Sequence, residues 1–387
     1  MLRRIFASNF RTLVNFNVDL DSLTLLLGPN GAGKTTIFDV ARLIRDFIRG
    51  DSVWMNGRMA SPTTTELFPN STRTRWQDVG LQSFEIALDG RDGHGEYIYR
   101  LEIEQDNFQQ RCRVKTERLT FDGRPLFESA MRDNQFTAQL YRDDGSSGPT
   151  QLTDWTRSSL PFIQPRAENQ LMTWFKDRMD RLIVARFNPA VITGQSDEES
   201  PVLAWDASNF VAWFRRMASL DLELVAKLRP LLEESIPGLV GLSLETNGAD
   251  AKILKAKFRG GASAEARAKP FFCRFDELSD GQRVLLMLYT LLNTATDDCT
   301  ICIDEPENFL ALREINPWLN MLLDVTQTQR CQAILISHHP ELINSLALGA
   351  GRWIDRTGEA ESRSQAISNT DSGLSISELV SRGWLHA

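Results

Sequence analysis

The chain has 387 residues, enough for one large domain or two to three ordinary ones around a sizeable buried core. Its apolar content of 42% and charged content of 24% are typical of a globular protein, and its net charge of −8 excludes a global basic field that would attract nucleic acid. No apolar run approaches the ~20 residues of a membrane span, and the amino-terminal segment lacks the apolar core of a signal peptide. We therefore predict a cytoplasmic protein that does not contact a membrane.

The five cysteines are scattered along the chain and odd in number, which favours reduced thiols. Cys299-x-x-Cys302 has the spacing of half a zinc site, but no second pair with ligand spacing accompanies it. Because the pair lies on an apolar, strand-like run, we favour the alternative interpretation, two small buried hydrophobic side chains.

The first predicted elements are strands at residues 2–7 and 23–27. The second strand leads into residues 28–36, Gly-Pro-Asn-Gly-Ala-Gly-Lys-Thr-Thr, which match the phosphate-binding pattern G-x-x-x-x-G-K-[ST] at every fixed position. Residues 35–49 then carry apolar side chains at helical spacing. A strand, a turn and a helix start in this order present backbone N–H groups and the positive end of a helix dipole to an anion.

Each residue type in this turn suits phosphate chemistry. Lys34 would neutralise β- and γ-phosphates, and the Thr35 hydroxyl would ligate Mg²⁺. Gly31 and Gly33 are needed because a Cβ there would keep the backbone away from the phosphates. The predicted nucleotide-binding residues of the turn are Asn30, Gly31, Ala32, Gly33, Lys34, Thr35 and Thr36.

The periodicity of the apolar residues changes twice in the middle of the chain. Alternating apolar and polar residues at 84–88, 97–103 and 112–121 predict an antiparallel sheet lobe. Residues 169–187 and 208–232 then place apolar side chains near helical spacing without a sustained heptad repeat, which indicates a compact helical lobe rather than a coiled-coil arm. We place this lobe at residues 156–235, as an insertion between the two parts of one head at 1–155 and 236–387.

Two later strands end in polar residues. The apolar run before Asp304-Glu305 predicts a buried strand whose carboxyl end lies at the ligand crevice of an α/β sheet. Asp304 would hold Mg²⁺ directly or through water, and Glu305 would orient or deprotonate the attacking water. The run before Ser337-His338-His339 repeats this design. We assign His338 to the γ-phosphate and expect His339 to be structural or a surface neighbour.

A further anion site is predicted at residues 278–282, Leu-Ser-Asp-Gly-Gln, which precede a strongly apolar helix. Ser279 suits an N-cap, and the open helix start offers free N–H groups to an anion. Within one subunit this site has no obvious phosphate to hold.

The ordered set of residues 28–36, 278–282, 301–307 and 337–338 resembles the Walker A, signature, Walker B and switch-histidine motifs of the ATP-binding-cassette ATPases. The resemblance implies an α/β P-loop head with an antiparallel β lobe and an inserted helical lobe, and ATP and Mg²⁺ as ligands. It also implies a homodimer that sandwiches ATP, in which the signature residues contact the nucleotide of the other head. These residues are Ser279, Gly281 and Gln282.

The chain opening and residues 303–308 resemble the RecF/SMC/OLD-like group of DNA-repair and phage-defence ATPases. In that group an amino-terminal Asn-Phe-Arg can touch the nucleotide, which implies that Arg11 is an extra contact. The sequence departs from the usual motifs at two places. Asp280 stands where transporters usually have glycine, and Ala311-Leu312 replace the His-Pro that is often seen after the D-loop. The residues after the switch histidine are too few for the TOPRIM nuclease domain of OLD-type proteins. We therefore expect any nuclease effector to be a separate chain.

The primary hypothesis is an ATP-hydrolysing dimer, the sensor or motor of a bacterial DNA-maintenance or anti-phage system, with Glu305, His338 and Lys34 as catalytic residues. One alternative is a low-turnover, ATP-gated scaffold that assembles a partner. Another is a transporter subunit, disfavoured because Leu278 follows Lys34 by 244 residues, a far longer interval than transporters have. DNA binding stays open, because arginine clusters are usually solvated helix faces. The glutamine loop has only weak candidates, Gln77 and Gln82.

Overall fold

The computed structural model describes residues 1–50, 53–55, 57–106, 111–260, 269–328, 331–356, 361–367 and 373–382. Within them the strands, numbered in chain order, are β1 (Leu2–Ser8), β2 (Phe16–Asp19), β3 (Leu23–Leu27), β4 (Val53–Met55), β5 (Arg58–Ala60), β6 (Leu81–Asp89), β7 (Glu96–Asp106), β8 (Arg111–Phe121), β9 (Arg124–Arg132), β10 (Gln135–Tyr141), β11 (Ser147–Leu152), β12 (Leu182–Ala185), β13 (Gln195–Ser196), β14 (Leu239–Asn247), β15 (Ala251–Phe258), β16 (Phe271–Arg274), β17 (Cys299–Asp304), β18 (Cys331–Ile336), β19 (Gly351–Asp355) and β20 (Arg363–Ala366). The helices are α1 (Lys34–Arg49), α2 (Thr64–Leu67), α3 (Gln170–Asp180), α4 (Phe210–Leu220), α5 (Leu224–Ser235), α6 (Asp280–Thr294), α7 (Leu312–Gln327), α8 (Pro340–Ala350) and α9 (Ile376–Arg382). Among the described residues, no helix combines the length and apolarity needed to cross a membrane.

A six-stranded sheet in the order β12-β17-β18-β3-β19-β20 carries the strands that precede the predicted motifs. Its neighbours pair in parallel, except for β20, which runs antiparallel to β19. Every residue of β17 and β18 is buried, as expected for parallel strands covered on both faces. The carboxyl ends of β3, β17 and β18 therefore meet at one edge, which confirms the predicted arrangement of adjacent parallel strands.

The parallel sheet separates two hydrophobic clusters. Ile303 and Leu335 belong to the cluster that includes α6, whereas Cys302 and Ile334 belong to the cluster that includes α1. Because successive side chains of a strand point to opposite faces, alternate residues enter different clusters. Burying each large apolar side chain is worth roughly 1.5–3 kcal/mol, so apolar packing on both faces fixes the strand ends that form the site.

An eight-stranded antiparallel sheet has the order β11-β10-β9-β8-β7-β6-β1-β2. Alternate residues of β7 and β8 are buried, which confirms the antiparallel lobe expected from the period of two. Helix α3 covers part of the buried face, where the ring of Trp174 stacks on Tyr97 at 5.2 Å and that of Phe175 on Tyr99 at 5.8 Å. The lobe also includes the amino-terminal strands, which join it to the parallel sheet through β3.

The helical region differs from its prediction in one respect. Helix α3 ends at Asp180, and Leu182–Ala185 form strand β12, which pairs in parallel with β17. The predicted helix over residues 169–187 was therefore wrong at its carboxyl end, because periodicity alone does not separate a short apolar strand from the end of a helix. Helices α4 and α5 follow and pack with α6 in one core cluster. The division at 156–235 stays a prediction.

One expectation about the cysteines is overturned. Cys299 and Cys331 are the first residues of adjacent parallel strands and face each other in register, with Cα atoms 4.9 Å apart, and the structure joins them as a disulfide. The prediction that all five cysteines are reduced thiols is therefore wrong for this pair. Cys302 is fully buried as a free thiol, and burial raises its pKa to about 12, which agrees with the predicted role of a small hydrophobic side chain.

Candidate nucleotide-binding site

The predicted phosphate-binding turn connects β3 to α1. Gly31 and Gly33 have φ values of 80° and 105°, a left-handed region that residues with a Cβ rarely adopt. A Cβ on Gly33 would lie 2.9 Å from Oγ1 of Thr12, and one on Gly28 would lie 1.9 Å from the carbonyl oxygen of Ile354. The turn therefore packs against neighbouring segments at distances that only glycine allows.

The other residues of the turn differ in exposure. Asn30 and Gly31 are exposed at its tip, whereas Ala32 and Thr36 are buried. The carbonyl oxygen of Ala32 accepts a hydrogen bond of 2.9 Å from the hydroxyl of Ser362. This serine, which the sequence analysis did not single out, ties the turn to the segment before β20.

Lys34 is buried, with 6% of its surface exposed, and its ammonium group lies inside the turn. Nζ donates to the carbonyl oxygens of Gly28 and Pro29 at 2.7 Å and 3.0 Å. Burial lowers the pKa of Lys34, and the carboxylates of Asp304 and Glu305 partly offset that shift. A buried ammonium whose hydrogen bonds go to carbonyl oxygens attracts a phosphate anion.

Thr35 and Asp304 meet where α1 begins and β17 ends. The Thr35 hydroxyl donates to Oδ2 of Asp304 at 2.9 Å. Burial raises the pKa of Asp304, which shows that its carboxylate lies in a poorly solvated place where a cation would stabilise it. A hydroxyl and a carboxylate oxygen this close are the donor types that Mg²⁺ prefers, so the residues fit the predicted metal.

Glu305 has a φ of 54°, unusual for a residue with a side chain, and its N–H donates to the carbonyl oxygen of Ile336 at 2.8 Å. Its Oε2 accepts two hydrogen bonds, from the Arg186 guanidinium at 2.8 Å and from the Asn308 amide at 2.9 Å. Both the backbone and the side chain of this residue are thus held by neighbours.

The end of β18 is fixed by a second carboxylate. Oε1 of Glu307 accepts from the Ser337 hydroxyl at 2.7 Å and from the His338 N–H at 3.1 Å. Burial, followed by the charge of Lys34, lowers the pKa of His338, which indicates that the histidine is near the turn. His339 caps α8 through Nδ1, which accepts from the N–H of Glu341 at 3.2 Å, so its predicted structural role is confirmed.

Ser279 is the N-cap of α6, as predicted. Its hydroxyl accepts from the N–H of Gln282 at 3.3 Å, and the Gln282 side chain accepts from the Ser279 N–H at 3.1 Å, which completes a capping box. A Cβ on Gly281 would lie 2.7 Å from the carbonyl oxygen of Phe309, so the helix start packs tightly on the loop after β17. The start of α6 and the loop after β17 are therefore in close contact at Gly281.

Arg11 lies at the amino-terminal side of the turn. Its guanidinium pairs with Asp39 on α1 and lies over the ring of Phe10, 5.5 Å from the centroid. The side chain stays 44% exposed, and the next residue, Thr12, is the one that Gly33 approaches. Arg11 therefore lies beside the turn, and its guanidinium is paired with the carboxylate of Asp39.

The short segment after β12 joins the acidic strand end to α6. Arg186 contacts Glu305, and three residues later the carbonyl oxygen of Pro189 accepts from the Arg283 guanidinium at 2.7 Å. Arg283 also pairs with Asp280 in the first turn of α6. No motif in the sequence pointed to this segment.

Known proteins resemble both the amino-terminal region and the whole fold. Residues 4–44 match the AAA domain family. Over 54 residues the chain is 50% identical to an OLD nuclease of Thermus scotoductus, a match that covers 14% of this chain and 9% of that protein. The chain thus spans less than a tenth of the curated relative's length.

Two solved structures align over almost the whole chain. An SMC head bound to the C-winged helix domain of ScpA is 12% identical with a TM-score of 0.52, over 95% of this chain and 98% of that one. An SMC head with an extended coiled coil, bound to the C-terminal domain of ScpA derived from Pyrococcus furiosus, is 11% identical with a TM-score of 0.54, over 95% and 96%.

The chain has the fold of an SMC head, and its amino-terminal region resembles the AAA domain family and an OLD nuclease. The predicted resemblance and fold class are confirmed. Of the two weak candidates for a glutamine loop, Gln82 is buried, and its amide donates to the carbonyl oxygen of Asn9 at 3.0 Å and to Thr72 Oγ1 at 3.2 Å. Gln82 therefore braces the amino-terminal loop. The residue that contacts Glu305 from the neighbouring strand is Arg186, which the sequence analysis missed.

Proposed function

We propose that this head binds ATP with Mg²⁺ and hydrolyses it to ADP and phosphate. The observation that carries the proposal is the hydrogen bond of 2.9 Å between Thr35 and Asp304, which are 269 residues apart. They meet because the glycine turn follows β3, Asp304 is the last residue of β17, and both strands have their carboxyl ends at the same edge of the parallel sheet. Lys34, Glu305 and His338 lie at this edge too.

In the proposed reaction the N–H groups of the turn bind the phosphates, and Lys34 neutralises their charge. Thr35 and Asp304 would hold Mg²⁺, which would supply further positive charge at the γ-phosphate. Glu305 takes a proton from water as the water oxygen bonds to the γ-phosphorus. The bond to the β–γ bridging oxygen breaks at the same time, and ADP leaves with that electron pair. His338 hydrogen-bonds the γ-phosphate.

We also propose that two copies enclose two ATP molecules. Ser279, Gly281 and Gln282 of one copy would contact the γ-phosphate bound by the other, since an exposed helix start attracts anions. Their hydrogen bonds in a single copy are local, within the capping box. The packing of Gly281 on Phe309 supports a joint surface of signature and adjoining loop, and Phe309 exposes 54% of its side chain there.

The proposed biological role is the sensor or motor of a bacterial DNA-maintenance or anti-phage system. The match over 54 residues to an OLD nuclease supports a relation to nuclease systems. The two SMC heads bound to ScpA domains support the idea that heads of this fold recruit a separate protein. A nuclease effector and DNA belong to the proposal as partners that remain to be captured.

The variant Glu305→Gln tests the proposal, because a neutral amide does not accept the proton of water. Steady-state phosphate release should fall on the order of 10²–10⁴-fold, the usual contribution of a general base. With ATP and Mg²⁺ the variant should elute from size-exclusion chromatography as a dimer. Glu233→Gln on α5 is the control and should behave as wild type. A Glu305 variant that stays monomeric would contradict the sandwich, and one that turns over normally would contradict the assigned base.

A low-turnover, ATP-gated scaffold is the second candidate function. The observation that favours it is the double engagement of Glu305 by Arg186 and Asn308, which limits the freedom of the carboxylate. Steady-state hydrolysis distinguishes the two functions. Turnover that stays absent with DNA and with captured partners, together with ATP-dependent assembly, would favour the scaffold.

A further inference from the structure

Arg186 is the first residue after β12, the edge strand next to the acidic strand β17. Ala185 pairs with Ile303, so Arg186 is level with Asp304 at the carboxyl edge of the sheet. Its guanidinium donates to Oε2 of Glu305 at 2.8 Å, with 49% of the arginine side chain and 25% of the glutamate side chain exposed. The ion pair therefore lies at the mouth of the site.

The glutamate is held asymmetrically. Both hydrogen bonds that its carboxylate accepts from described residues, from Arg186 and Asn308, go to Oε2. Oε1 accepts none from the part of the chain that the structure describes. The Glu305 N–H is also fixed by the carbonyl oxygen of Ile336, so the backbone and Oε2 are both held, and Oε1 is left to accept from a water molecule.

The arginine is itself held in place. Its backbone N–H donates to the carbonyl oxygen of Trp205 at 2.7 Å, and the next residue, Phe187, is buried in the core cluster that includes α6. Asn188 donates through its N–H to the carbonyl oxygen of Asp206 at 3.2 Å. The guanidinium therefore extends from a fixed backbone, and a planar, permanently charged group of this kind keeps a carboxylate in one orientation.

We propose that Arg186 is a positioning residue that orients the carboxylate of Glu305 toward the attacking water. This inference rests on the proposed ATPase function. Removing the guanidinium leaves the carboxylate with the Asn308 amide as its remaining donor among the described residues, and a single donor restrains its rotation less. A general base works only within hydrogen-bond reach of the proton that it takes. The loss should appear in the chemical step and not in nucleotide binding.

The experiment compares the kcat and KM of wild type with those of Arg186→Ala, Arg186→Lys and Arg181→Ala. Misplacement of a catalytic group commonly lowers turnover about 10- to 100-fold, and we expect this loss in kcat for Arg186→Ala. KM for ATP should change by less than about twofold, since the substitution leaves the residues proposed to bind the phosphates unchanged. Arg186→Lys, which keeps the charge, should recover part of kcat. Arg181, exposed at the opposite end of β12, is the matched control and should leave both constants unchanged.

The melting temperature of each variant shows whether it is folded, and its affinity for a fluorescent ATP analogue shows whether it binds nucleotide. An Arg186→Ala protein that binds nucleotide and turns over like wild type overturns the inference but leaves the proposed function standing. The same holds if Arg186→Lys is no better than Arg186→Ala. Wild-type protein that binds ATP without hydrolysing it under any condition overturns both.

Discussion

Two regions of the molecule are built in contrasting ways. The strand-end cluster, formed by Lys34, Thr35, Asp304, Glu305 and His338, lies at the ends of buried strands that apolar packing fixes from both faces. The signature corner, formed by Ser279, Gly281 and Gln282, is an exposed helix start whose hydrogen bonds stay within its own capping box. The first region is organised within one chain, whereas the second would, in the proposed dimer, contact a phosphate bound by the other copy. Variants that affect one region and spare the other test this contrast.

The largest expected effect is that of Lys34→Ala in the strand-end cluster. The variant removes the ammonium that would neutralise the phosphates, and truncating one partner of a buried charge pair weakens binding on the order of 100-fold or more. Titration with a fluorescent ATP analogue measures the loss. Lys176→Ala is the matched control, because Lys176 is a half-buried lysine that, like Lys34, donates to backbone carbonyl oxygens, among them that of Ile163 at 2.8 Å. Equal affinity in the two variants would contradict the assignment.

In the signature corner, Ser279→Asp should separate capping from phosphate contact. Aspartate is as good an N-cap as serine, so the melting temperature should stay close to that of wild type. Its carboxylate would repel the γ-phosphate of a second copy, and we expect turnover to fall on the order of tenfold to 100-fold while one head still binds nucleotide normally. Ser279→Asn, a neutral cap, should lose less. A normal rate for the aspartate variant would show that the corner does not meet a phosphate.

A smaller effect concerns stability in the β lobe that supports the strand-end cluster. Glu117 is fully buried there and accepts hydrogen bonds from Tyr99 at 2.8 Å and Ser158 at 2.6 Å. Burial raises the pKa of Glu117 to about 7 from its ordinary 4.5. The unfolded chain releases this proton at lower pH than the folded one, so folding stability is full below about pH 4.5 and declines as pH rises toward 7.

The full loss of folding free energy should amount to about 3–4 kcal/mol, since each tenfold difference in proton affinity between the folded and unfolded chain corresponds to about 1.4 kcal/mol. Glu117→Gln cannot ionise and removes this slope. Melting temperatures of both proteins between pH 5 and pH 8 measure it, and the wild type should lose stability relative to the variant as pH rises. Parallel curves would contradict a protonated Glu117 in the folded state.

Local patterns predicted most of the strand-end cluster. The glycine turn, the acidic strand end and the histidine strand end are each contained in about ten residues, and a buried parallel strand reads as a continuous apolar run. The N-cap role of Ser279 was predicted for the same reason, because capping depends on neighbouring residues. The assigned catalytic roles stay predictions.

Features that depend on strand order were missed. Arg186 and Glu305 are 119 residues apart, and they meet only because β12 pairs with β17. The run Leu182–Ala185 is too short to be recognised as a strand when it follows a helix directly. The pairing of Cys299 with Cys331 has the same origin, since the two strands were predicted but their register was not. Sequence patterns describe segments, whereas these contacts depend on how segments are ordered in the sheet.

The four residues from Arg186 to Pro189 would link the two nucleotide sites of the proposed dimer mechanically. Arg186, at one end of the segment, contacts Glu305, which in the proposed dimer would act on the ATP of the same copy. Pro189, at the other end, accepts from Arg283 of α6, whose start would contact the ATP of the partner. If hydrolysis of the partner's ATP displaced α6, the segment would therefore transmit that displacement to Glu305 of the same copy. In the proposed dimer, hydrolysis at one centre would then alter the rate of hydrolysis at the other.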